Sequence, residues 1–210
     1  MIIMKFVGLL IFAYLLGSIP WGLILARIFA STDIRQKGSG NIGATNVTRE
    51  IGVLPGLLTL AGDVFKGALP VYMARWIFGA ADGAGDIYLA AVALAAFLGH
   101  CFPVYLKCRD GGKGVATAAG CFAVISLTAV AAAFGIFTIT LLVFRRVSVG
   151  SLCAAAALPV SIWITTGSLV LIIAAAIIAL LIFVRHHANI KRLLAGNEPA
   201  FKLRKASADR

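Results

Sequence analysis

Acidic side chains are scarce in this chain: eight aspartates and glutamates stand against nineteen lysines and arginines in 210 residues. With Asp82 and Asp86 assigned to one loop, no carboxylate cluster remains that could cage a hard metal ion. Neither a metal nor any other cofactor is therefore expected. Cysteine is equally sparse. Cys101, Cys108, Cys121 and Cys153 show no CxxC spacing and lie in or beside apolar runs, which argues against a zinc site or a disulfide framework and leaves them as small packing residues. Charged residues make up only 13% of the chain, and no polar stretch is long enough to form a soluble domain.

What is present is hydrophobic: 61% of the residues, with a mean hydropathy of +1.00. Because a bilayer core about 30 Å thick needs ~20 mostly apolar helical residues, the chain has room for several spans. The apolar runs are Met4 to Phe29, Ile51 to Phe78, Ile87 to Leu106, Val115 to Thr128, Ala129 to Phe144, Val149 to Thr166 and Ser168 to Val184. They predict an all-α, polytopic membrane helical bundle of about seven transmembrane helices, in one domain over residues 1–210. The first run is too long, and its basic start too thin, for a signal peptide, so it reads as a retained helix.

Charge fixes the expected topology. Seven spans with the amino terminus outside and the carboxyl terminus cytoplasmic leave only Lys5 and Arg75 outside. Arg27, Arg35, Lys37, Arg49, Lys107, Arg109, Lys113, Arg145, Arg146, Arg185 and every later basic residue fall inside. That asymmetry is the positive-inside rule, so the net charge of +11 encodes topology and contact with anionic lipid heads. Nucleic acid is not needed to explain it.

Three polar segments then gather on the cytoplasmic face. Lys37 to Arg49 reads KGSGNIGATNVTR, where glycine backbone, the Ser39 and Thr45 hydroxyls, the Asn41 and Asn46 amides and the flanking cations suit a phosphorylated ligand. RDGGKGVAT at Arg109 to Thr117 leads into an apolar run. Gly111, Gly112 and Gly114 there could wrap an anion at a helix N-terminus beside Lys113, and a plain turn between helices is the competing reading. No Ser or Thr follows Lys113, so the Walker pattern and nucleotide hydrolysis are not supported. RHHANIKRLLAGNEP at Arg185 to Pro199 places His186 and Asn189 on about one helical face. Interfacial anchoring accounts equally well for these residues. Glu198, with seven basic residues and only Asp209 as a second carboxylate after Val184, reads as a structural ion pair holding the tail. Asp63 and Lys66 lie one helical turn apart inside a span, where a functional and an architectural role are both open. His100 reads as a core histidine.

Taken together and in order, GSGNIGATNVTR, GGKGVAT and RHHANIKRLLAGNE, supported by GDVFKG and GHCFPVYLK, closely resemble the bacterial membrane acyl-phosphate:glycerol-3-phosphate acyltransferases over nearly the whole chain. The resemblance implies transfer of a fatty acyl group from acyl phosphate to the 1-hydroxyl of glycerol-3-phosphate, giving lysophosphatidate. It implies a bacterial inner-membrane, multi-pass enzyme working as a monomer among membrane lipids. Carried over by position, it implies essential roles for Ser39 and Arg49, with Gly38, Gly40, Asn41, Thr45 and Asn46 shaping or lining the pocket. It also implies a glycerol-phosphate loop at Gly111, Gly112 and Gly114 with Lys113 and Thr117, an active-site pair at His186 and Asn189, and a structural Glu198. Two departures stand out. Cys108, Arg109 and Asp110 precede Gly111 where one basic residue is commoner, so Asp110 must turn away from a phosphate or pair with a cation. His187 adds a second imidazole, although spacing favours His186. The reading from another class is a small transporter binding a phosphorylated solute at the cytoplasmic face, against which no inverted repeat relates the two halves.

Overall fold

The computed structural model describes residues 1–79 and 84–200. Asp82 and the basic tail 201–210 lie outside the described residues, and Asp86 belongs to the first turn of a helix. Among the described residues the regular structure is entirely helical: α1 (Ile2–Gly17), α2 (Trp21–Ala30), α3 (Ala44–Glu50), α4 (Val53–Phe78), α5 (Ala84–Cys101), α6 (Val115–Ile125), α7 (Leu127–Phe144), α8 (Val147–Thr166), α9 (Leu169–Arg185) and α10 (His187–Leu194). Pro20, lacking an N–H, caps α2 and breaks the first apolar run into α1 and α2.

Contacts define two ends of the bundle. At one, Phe6 packs its ring against Tyr88 at 4.9 Å and Tyr88 stacks on Phe78 at 4.3 Å. Arg75 donates to the Val124 carbonyl at 2.6 Å, and the Ser126 and Thr165 hydroxyls meet at 2.9 Å. At the other, Arg146 reaches the Glu198 carbonyl at 3.1 Å, Arg185 reaches the Gly112 carbonyl at 3.1 Å, and Arg35 pairs with Asp110 at 3.2 Å. Five segments among the described residues are long and apolar enough to cross a membrane, or six when α9 and α10, bent by 59°, count as one span.

The expected seven full-length spans are therefore not all present, and α6 is the reason. Its eleven residues rise only about 17 Å. The remaining depth is filled by the loop ahead of it, which folds inward onto α5. A Cβ on Gly120 would meet the Val64 carbonyl, and one on Gly67 the Thr117 carbonyl, so α6 lies backbone to backbone on α4. Outward faces carry Ile139, Leu142, Trp163, Ile164, Leu169 and Leu180, all exposed. The core is largely alanine with Phe97, Phe122, Ile162 and Ile178. That pattern, large residues outward and small ones between helices, is how a bundle solvated by lipid packs.

Candidate active site

The first polar segment becomes a loop organised by one buried side chain. Asn46, on α3, donates from Nδ2 to the carbonyls of Asn41 at 2.9 Å and Lys37 at 3.1 Å, and its Oδ1 accepts from the Ser39 amide at 3.0 Å. Asn41 Oδ1 accepts from the Gly43 amide at 2.9 Å, closing an Asx turn that launches α3. Gly38 and Gly40 have positive φ, at 56° and 71°, the region glycine tolerates. A Cβ on Gly38 would strike Asn46 Oδ1. These constraints leave Ser39 and Thr45 exposed and bring Arg49, from the last turn of α3, to the same wall.

The glycine loop is held from two sides. The Gly112 amide donates to the His100 carbonyl at 3.1 Å. Arg185 donates to the carbonyls of Gly112, at 3.1 Å, and Gly111 while its guanidinium lies 5.6 Å over the Phe102 ring, a cation–π contact. A Cβ on Gly111 would enter the Cys101 carbonyl, and one on Gly112 would enter the His100 ring. Gly112→Ala is accordingly expected to displace the loop and raise KM for the ligand bound by Lys113 by roughly 10–100-fold; steady-state kinetics with that ligand varied checks it. Asp110 pairs with Arg35 at 3.2 Å and stands apart from the cavity lining.

The third wall is the α9–α10 junction. His186 Nδ1 lies 2.8 Å from the Ile182 carbonyl and must donate to it, which leaves Nε2 as the acceptor of a neutral ring. Asn189 Nδ2 donates to Glu198 Oε1 at 2.6 Å, and Arg192 Nε donates to Oε2 at 2.8 Å. Burial alone would raise the Glu198 carboxyl, but the hydrogen bonds from Asn189 and Arg192 outweigh it and hold the group below its ordinary value of 4.5. A carboxylate depressed on folding stabilises the fold above its ordinary value and loses that contribution as pH falls below it. Glu198→Gln should therefore lower the thermal midpoint at pH 7, with the gap to the parent closing in acid; unfolding curves across pH test this.

All three walls face one cavity of about 740 Å³. Gly38, Ser39, Asn41, Thr45, Asn46, Arg49, Lys113, Gly114, His186, Asn189 and Glu198 line it. Of the other expected residues, Gly40 shapes the first loop, Gly111 and Gly112 are turned onto α5 and Arg185, and Thr117 is buried within α6. His187 is exposed, its Nδ1 3.1 Å from the Val184 carbonyl, outside the lining. Burial, with the nearby cations Arg192, Arg49 and Arg185, lowers the Lys113 ammonium to about 8 against the opposing pull of Glu198. From this basic mouth the cavity continues between helices along Val64, Ala118, Val130, Phe137, Ala155 and Leu158. On α8 the lining runs from Val147 to Leu158, a rise of about 17 Å.

Sequence reasoning passed over Arg192, Ser148, Ser151 and the apolar groove. Asn189 and Arg192, three apart, carried a usable signal, since that spacing shares a helix face. The same spacing joins Ser148 and Ser151 at the start of an apolar run. No signal marked the groove, because groove-lining and lipid-facing side chains have the same chemistry.

A family model described as glycerol-3-phosphate acyltransferase matches residues 7–196. Among curated relatives, the glycerol-3-phosphate acyltransferase of Syntrophotalea carbinolica is 50% identical, over 94% of this chain and 98% of its own length. That of Thermosynechococcus vestitus is 43% identical, over 91% and 93%. Two crystal structures of PlsY, an integral membrane glycerol 3-phosphate acyltransferase, superpose closely. The glycerol 3-phosphate form has a TM-score of 0.88 at 37% identity, covering 94% of this chain and 96% of its own. The lysophosphatidic acid form has a TM-score of 0.85 at 36%, covering 95% and 96%. With the match running through all three walls of the cavity, the chain belongs to the glycerol-3-phosphate acyltransferase family and is an integral membrane acyltransferase.

Proposed function

We propose that this enzyme transfers a fatty acyl group from acyl phosphate to the 1-hydroxyl of glycerol-3-phosphate, releasing lysophosphatidate and phosphate. The observation that carries this is the junction of a basic, glycine-bounded mouth with an apolar groove in one cavity. A donor with a phosphate head and an alkyl tail fits both halves at once, leaving its carbonyl at the boundary. Arg49 and Lys113 offset the charge of two phosphates, each carrying about −1.5 to −2 near neutral pH.

The attacking hydroxyl lies between Ser39 Oγ and His186 Nε2, which hold it in line with the carbonyl. A new ester C–O bond forms, the carbon–oxygen bond to phosphate breaks, and the hydroxyl proton ends on the departing phosphate, which leaves as hydrogen phosphate. Since the donor is an activated anhydride, alignment and charge stabilisation supply most of the acceleration. Asn189, Glu198 and Arg192 hold the His186 wall in place.

The mouth is read as cytoplasmic, in a bacterial inner membrane, because the basic residues crowd that end; Glu198 lies at that end and Phe6 at the other, so the amino terminus is read as outside and the carboxyl terminus as inside. The test is purified protein given palmitoyl phosphate and glycerol-3-phosphate, with palmitoyl-CoA as a parallel donor. Lysophosphatidate should appear with acyl phosphate only, and product from acyl-CoA alone would overturn the donor assignment.

A further inference from the structure

Three ionisable residues lie buried beneath the mouth, and the chemistry above uses none of them. Asp63, Lys66 and His100 are 3%, 1% and 4% exposed. Lys66 Nζ lies 2.8 Å from Asp63 Oδ1 and donates to the Ile19 carbonyl at 2.8 Å. His100 Nδ1 stands 3.5 Å from the same Asp63 oxygen, with no hydrogen-bond partner among the described residues. Asp63 and His100 form part of the cavity wall.

The contacts of this triad run to both anion-facing loops. On one side, the His100 carbonyl takes the Gly112 amide at 3.1 Å, and the His100 ring occupies the space where a Gly112 Cβ would stand. Lys113 is the next residue. On the other side, Ile19 sits in the break between α1 and α2, and α2 presses against the first loop so closely that a Cβ on Gly22 would enter the Ile42 carbonyl. That loop carries Ser39 and leads into α3 with Arg49. An unbroken chain of contacts thus runs Lys113, Gly112, His100, Asp63, Lys66, Ile19, α2, Ile42.

Stability is a poor reason to keep such a group. A buried ion pair seldom outweighs its desolvation, and apolar replacements of similar volume are often neutral or stabilising; fixing one arrangement is its better attested use. We propose that Asp63, Lys66 and His100 are positioning residues that set the separation between the Lys113 loop and the Ser39–Arg49 loop, and with it the fit of glycerol-3-phosphate. This rests on the acyltransferase reading above. A misplacement of about 1 Å at a reacting pair lowers rate by as much as ~10²-fold, so a rigid spacer under the mouth has a direct kinetic consequence.

The test is the double variant Asp63→Leu/Lys66→Met in full-length purified enzyme, with each substrate varied in turn. Thermal midpoint should stay near the parent's, while KM for glycerol-3-phosphate rises roughly 10–100-fold and KM for palmitoyl phosphate changes little. A merely structural pair would instead lower the midpoint and leave both KM values of the folded fraction alone, which would overturn the proposal. Should the double variant not be recovered as monodisperse protein, His100→Gln gives the same reading, and an unchanged KM for glycerol-3-phosphate there overturns it equally. If the parent enzyme makes no lysophosphatidate, the functional reading fails; if it does and the variants match it, only the spacer role fails.

Discussion

Replacing Lys113 by methionine is expected to lower kcat/KM for acyl transfer by roughly 10²–10³-fold, the scale for removing one preorganised group from the site of developing charge. The side chain is half-buried, lines the cavity, and sits with Arg49, Arg185 and Arg192 near enough to perturb it. Methionine keeps the stem and removes only the ammonium, so the loop, fixed by His100 and Arg185, should remain and the thermal midpoint should hold. The same lysine predicts a pH limb. Its ammonium is lowered to about 8 by burial and by those cations, so the charged form is present below that pH and lost as pH rises through it. KM for glycerol-3-phosphate should therefore climb above about pH 8. In Lys113→Arg the limb should leave the accessible range, because guanidinium stays protonated beyond pH ~12. A profile flat to pH 10 in the parent would remove Lys113 from the anion site.

The second large effect is expected at Arg49 and Ser39. Arg49→Ala deletes the cation that the first loop brings to the cavity and should also lower kcat/KM by roughly 10²–10³-fold. Arg49→Lys is expected to recover only part of that, since a point charge cannot reproduce the two-pronged hydrogen bonding of guanidinium to phosphate. Ser39→Ala is the more discriminating change. The loop's shape depends on the Ser39 amide bonded to Asn46, not on its hydroxyl, so the fold should be untouched while turnover falls by about 10²-fold or more. Parallel measurements of thermal midpoint and both kinetic constants separate these outcomes. Retention of most activity in Ser39→Ala would exclude a role for its hydroxyl.

Much of this site was legible in the sequence, for a physical reason. In an apolar chain, a polar segment is costly unless it serves a ligand or an interface, so GSGNIGATNVTR, GGKGVAT and RHHANIKRLLAGNE stood out against their flanks. Ser39, Arg49, Lys113, His186 and Asn189, the residues expected to act through side chains, do line one cavity. The glycines were less transparent. A glycine is equally suited to approaching an anion and to approaching another backbone, and Gly111 and Gly112 do the latter, against Cys101 and His100. Composition resolved the number of apolar runs but not the length of α6, because the loop before it is folded into the bundle by packing on the end of α5 and by Arg185, which lies seventy-three positions beyond Gly112. Asp110, an anion beside a glycine loop, poses a question in the sequence. Its answer, the pairing with Arg35, joins residues seventy-five positions apart and follows from tertiary structure alone.

The central claim is that both substrates occupy the cavity together and the acyl group passes directly from phosphate to hydroxyl. Initial rates measured over a matrix of palmitoyl phosphate and glycerol-3-phosphate concentrations, with phosphate release followed from the first turnover, test it most directly. The account predicts intersecting double-reciprocal lines and no phosphate release without glycerol-3-phosphate. Parallel lines, with a burst of phosphate stoichiometric with enzyme in the absence of the acceptor, would establish an acyl-enzyme and contradict it.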